Sequence, residues 1–71
     1  MAFNYSKLRG KVKEIFNTQE DFSKALGIGT VSLSQKLNNK SEWSQQEINK
    51  AVELLKIEDS EISVYFFTEE V

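Results

Sequence analysis

Seventy-one residues with a formal net charge of −2, no histidine and no cysteine exclude several domains, a disulfide framework, a thiolate metal site and the usual histidine general base. No run of about eighteen apolar residues occurs, so no membrane span is expected, and the amino terminus lacks the charged-then-apolar order of a signal peptide. Hydrophobic residues are 39% of the chain and proline is absent, which suits one small all-α domain, residues 1–71, in the cytoplasm.

The first helix is expected from about Ser6 to Phe16. Ser6 is its candidate cap, and Leu8, Val12, Ile15 and Phe16 form one apolar stripe. Gly10 lies inside it, at a cost of about 1 kcal/mol relative to alanine unless another helix needs the space. The second helix starts at Thr18, a good N-cap with Asp21 three residues on. Its apolar face is Phe22, Ala25 and Leu26, and Gly27 ends it by taking the left-handed conformation. Ile28 is the expected anchor in the turn. The third helix begins near Gly29 or Thr30 and ends near Leu37. Leu33 and Leu37 face the core, while Val31, Ser34, Gln35 and Asn38 point away from it.

Asn38 to Ser41 reads as a loop. The fourth helix has the clearest start: Ser44-Gln45-Gln46-Glu47 is a capping box, with Trp43 and Ile48 at the staple positions. Ile48, Ala51, Val52 and Leu55 carry its stripe to about Leu55. The fifth element is either a helix capped by Ser60 and running through Phe67, or a strand, since residues 62–67 are rich in β-formers.

The charge is unevenly placed. Residues 1–41 carry seven cations against three carboxylates, a net +4, and residues 42–71 carry two against eight, a net −6. Either one end meets a polyanion or the charges are solvated surface. Residues 18–38, two short helices around a glycine turn, have the layout of a DNA-binding helix-turn-helix. The first helix of such a pair braces the second, which enters the major groove. Small Ser23 faces the partner helix where a bulky side chain would force the two apart. No glycine-rich phosphate loop occurs, and catalysis is not expected.

The order Thr18-Gln19, Phe22-Ser23, Leu26-Gly27-Ile28, then Ser32-Leu33-Ser34 and Leu37-Asn38, resembles the lambda-repressor-like helix-turn-helix domains of phage Cro and CI regulators. The wider pattern is similar to small Cro-like proteins of phages and prophages of Gram-positive bacteria. It includes Asn4 to Gly10, Lys36 to Asn39, Trp43 to Ile48 and Tyr65 to Phe67, nearly the whole chain. The resemblance implies a compact five-helix DNA-binding domain that binds an operator as a homodimer on double-stranded DNA, and no cofactor, metal, membrane or small-molecule substrate. It places Thr30, Val31, Gln35 and Ser34 at base-reading positions. Glutamine pairs with adenine, and valine or the threonine methyl touches a thymine methyl. Gln19, Ser32, Asn38, Asn39 and Lys40 match phosphate-gripping positions, and Gln19 also braces the third helix through Thr30. Each has a plainer reading as helix surface or polar turn. Lys7, Arg9, Lys11 and Lys13 read mainly as the solvated face of the first helix.

Two departures weaken the expectation. The isoelectric point is about 5.1, and no arginine stands in the third helix to bind guanine. A shallow salt dependence follows for any DNA complex. The alternative function is a protein-interaction module on the same scaffold, binding a repressor or a polymerase subunit. Segment 58–71, with Tyr65, Phe66 and Phe67, either completes the core or makes a dimer contact, since three adjacent aromatics exceed what one side of a small domain hides.

Overall fold

The protein's structure, a computed structural model, describes residues 2–69. Glu70 and Val71, at the end of the segment expected to complete the core or make a dimer contact, lie outside the described residues. Five α-helices run in the order α1 (Ser6–Phe16), α2 (Gln19–Leu26), α3 (Thr30–Leu37), α4 (Gln45–Leu55) and α5 (Ile62–Phe66), with a 3-10 turn at Asp59–Glu61 before α5. No sheet forms among the described residues; one isolated antiparallel bridge joins Phe3 to Glu69. The chain is all-α, as its composition and periodicity predict.

Local chemistry sets the helix ends. The Thr18 hydroxyl accepts the Asp21 N–H at 3.1 Å and starts α2. Gly27, at φ +86°, ends it: its N–H donates to the Lys24 carbonyl and the Ile28 N–H donates to the Ser23 carbonyl. That pair of bonds is the Schellman pattern, which needs a left-handed residue at this point. The capping box on α4 is complete, with the Glu47 N–H donating to Ser44 Oγ and the Ser44 N–H to Glu47 Oε1. Lys56 then ends α4 in the left-handed conformation at φ +56°, and the Ile57 N–H donates to the Val52 carbonyl.

Every helix contributes to one core. Leu8 and Val12 come from α1, Phe22 and Leu26 from α2, Leu33 and Leu37 from α3, Ala51 and Leu55 from α4, and Phe66 from α5; Tyr5 and Ile57 complete it. α2 is central, packing on α1, α3 and α4. Full burial of a leucine or phenylalanine contributes about 1.5–3 kcal/mol, so α3 is fastened chiefly by Leu33 and Leu37. Trp43 and Ile48 both pack against this core, and the Trp43 ring meets Phe66 edge-on at 5.2 Å.

Four expectations change. Ser6 is the first residue of α1 rather than its cap; its N–H donates to Asn4 Oδ1, so the capping oxygen comes from two residues upstream. Ile15 is 43% exposed and is not part of the buried stripe. Gly10 admits no close helix, because a Cβ built there meets nothing within 4 Å. Residues 62–66 are helical, and Ser60 sits inside the 3-10 turn instead of capping a helix. The helical reading holds because the residues turned to the core, Ile62, Tyr65 and Phe66, stand at i, i+3 and i+4, while Val64 and Phe67 stay exposed. The extended pairing suspected for this region falls beyond it, at Glu69.

Candidate functional site

With Leu33 and Leu37 fixed in the core, the 100° step of the helix sends Thr30, Val31, Ser32 and Gln35 to the surface. Ser34 is half buried beside them. Val31 is 71% exposed, the most exposed large apolar side chain among the described residues. The start of this face is braced from α2. The buried Ser23 hydroxyl donates to the Glu20 carbonyl at 2.7 Å, and lies 3.3 Å from the Thr30 hydroxyl. Having given its only proton to Glu20, Ser23 accepts from Thr30. The brace expected from Gln19 is therefore supplied by Ser23. Gln19 itself is exposed at the first position of α2.

The far end of α3 is bound into the fold more tightly than its sequence suggests. Arg9, which reads as solvated surface, reaches from α1 and donates through Nη2 to the Leu37 carbonyl and to Asn38 Oδ1, each at 2.8 Å. The Asn38 amide donates in turn to the Ser34 carbonyl at 2.9 Å. Asn39 exchanges two bonds with the backbone of Phe3: it accepts the Phe3 N–H and donates to the Phe3 carbonyl, both at 2.9 Å. Its backbone is left-handed, at φ +62°. Both asparagine amides thus hold the protein's own chain at the positions where phosphate contact was expected; Asn38 Nδ2 also reaches Ser34 Oγ at 3.4 Å, while Asn39 Nδ2 has one further N–H to offer. Lys40 is exposed after them, its N–H donating to the Gln35 carbonyl.

The cation of α3 is also committed. Lys36 is buried, with Nζ 3.1 Å from Glu47 Oε1 and donating to the Glu42 carbonyl at 2.9 Å. Burial opposes the ionisation of Glu47, but the Ser44 N–H and the Lys36 ammonium outweigh it and hold the carboxyl below its ordinary range. The outward face of α3 is consequently uncharged: Thr30, Val31, Ser32, Ser34 and Gln35. Arg9 and Lys36 are the residues sequence reasoning missed. Both act across 28 and 11 positions of chain respectively, beyond the reach of any local pattern.

A recess of about 550 Å³ lies between the N-terminal segment, the α3–α4 loop and α5; Phe3, Tyr5, Trp43, Phe66 and Phe67 are among the residues that line it. Among the described residues no cluster of metal-ligating side chains occurs. No described helix is long and apolar enough to cross a membrane.

A family model described as "Protein of unknown function (DUF739)" matches residues 1–69. The chain is similar to the modulator of repression (MOR) of the temperate bacteriophage TP901-1 from Lactococcus lactis, known from a solution structure. The two are 41% identical with a TM-score of 0.82, over 100% of this chain and 96% of that one. No curated protein sequence matches.

Proposed function

The chain belongs to the DUF739 family, and we propose that it is a small phage-type regulator acting by binding rather than catalysis, with the exposed face of α3 as its contact surface and a repressor protein as its partner. One observation carries the choice of partner. The outward face of α3 presents an uncovered valine and no charge, while Lys36 is buried against Glu47 and the exposed Arg9 turns its Nη2 to the end of α3. Binding to DNA draws most of its affinity from lysine and arginine on phosphates, whereas a protein interface centres on desolvated apolar anchors with polar groups around them. The similar phage protein is named a modulator of repression, which supports a repressor as the partner. Such a regulator works in the cytoplasm.

Operator recognition is the second reading. Its support is the outward placement of Thr30 and Gln35 and the exposure of Gln19 at the start of α2, where a groove-reading helix pair needs them. Homodimerisation on DNA belongs with that reading. Isothermal titration against a purified phage repressor, and in parallel against operator DNA, separates the two. Val31→Asp places a charge in the centre of the proposed contact and is expected to weaken repressor binding at least about tenfold, the equivalent of 1.4 kcal/mol. Sequence-specific DNA binding without any repressor complex would reverse the order of the two readings.

A further inference from the structure

We propose that Arg9 is a positioning residue for the α3 face: it sets the exit of α3 and, through Asn38, the pose of Ser34 and Gln35. The proposal rests on the reading of that face as the contact surface.

The last carbonyls of a helix have no partner within it. In α3 one of them, on Leu37, accepts from Arg9 Nη2, and the same nitrogen donates to Asn38 Oδ1. Asn38 closes the circuit by donating from Nδ2 to the Ser34 carbonyl, with Ser34 Oγ 3.4 Å from the same nitrogen. A cation at a helix C-terminus also meets the favourable end of the macrodipole. The loop beyond is anchored separately, by Asn39 on Phe3 and by Lys36 on Glu42. Among the described residues Arg9 alone ties α1 to the last turn of α3 by side-chain bonds, and that turn carries the two polar residues, Ser34 and Gln35, that flank Val31's side of the surface.

A guanidinium used in this way acts on the last turn of α3 and is not a general stabiliser of the fold. Amide hydrogen exchange followed by NMR distinguishes these roles. In Arg9→Gln, the amides of Asn38 and Lys40, which donate to Ser34 and Gln35, are expected to exchange at least about tenfold faster, as the loss of a charged hydrogen bond implies. Amides inside α2 and α4 should keep their wild-type protection. Asn38→Ala should give the same local pattern, and the double variant less than the sum of the two, because the residues share one network. Equal loss of protection in every helix would reduce Arg9 to a global stabiliser and overturn the proposal, as would no change at 38 and 40. Titration of the wild-type chain with repressor tests the contact-surface reading on its own, so a failure of that reading and a failure of the Arg9 proposal are distinguishable.

Discussion

Two glycines show how one residue type serves opposite ends. Gly27 occupies the left-handed region at φ +86°, where an L side chain costs about 1–2 kcal/mol. Gly27→Ala should lower stability by about that amount even though the space is open, since a Cβ would meet only Lys50 Nζ at 3.6 Å. Gly10 lies in ordinary helix with nothing near it, so it serves no packing purpose and leaves α1 with an entropic penalty. Gly10→Ala should raise stability by about 0.5–1 kcal/mol, a gain of several degrees in Tm for a domain of this size. Urea unfolding of the two variants measures both signs at once. A destabilising Gly10→Ala would mean that α1 depends on a local bend at that residue.

At the scale of the elements, α4 repays closest attention because its cap is shared with α3. Ser44→Ala removes the oxygen that accepts the Glu47 N–H and should cost about 1 kcal/mol. Glu47 carries a second duty as the partner of buried Lys36, and its carboxyl is held below its ordinary range. A group whose pKa is lowered by folding adds stability that is complete above the unfolded value and is lost as pH falls through the folded one. Acidification through and below the carboxylate range should therefore steepen the loss of stability, and Glu47→Gln should flatten that limb in urea titrations at several pH values. The bounds of α1 to α4 were legible because caps and apolar spacing are local: Thr18, Gly27 and the Ser44–Glu47 box act within a few residues of themselves. Ser6 misled because Asn4, just as local, offered a better-placed oxygen. Ile15 misled because the core-facing arc of α1 is narrower than its apolar stripe. The internal bonds of Arg9, Lys36 and Asn39 were not legible because their partners are distant in sequence.

Taken as a whole molecule, the net +4 of residues 1–41 points towards a polyanion only while its cations are counted as free. Arg9 and Lys36 are bound internally, and Lys11 stands 3.7 Å from Glu14, an exposed pair of little energetic weight but further local neutralisation. The positive half is thus less available to an outside partner than its composition suggests, and the proposed contact face carries no charge. Affinity for the repressor should then depend weakly on salt. A protein neutralising six to ten phosphates loses roughly 10³–10⁵ in affinity between 50 and 200 mM salt. For an uncharged apolar contact the change over the same range should stay within about threefold, since screening acts only on charges at the rim. Titrations with repressor at 50, 100 and 200 mM salt provide the measurement. A loss of a hundredfold or more would place a charged patch at the centre of the interface, and the acidic segment 58–69 rather than the α3 face would become the surface to mutate.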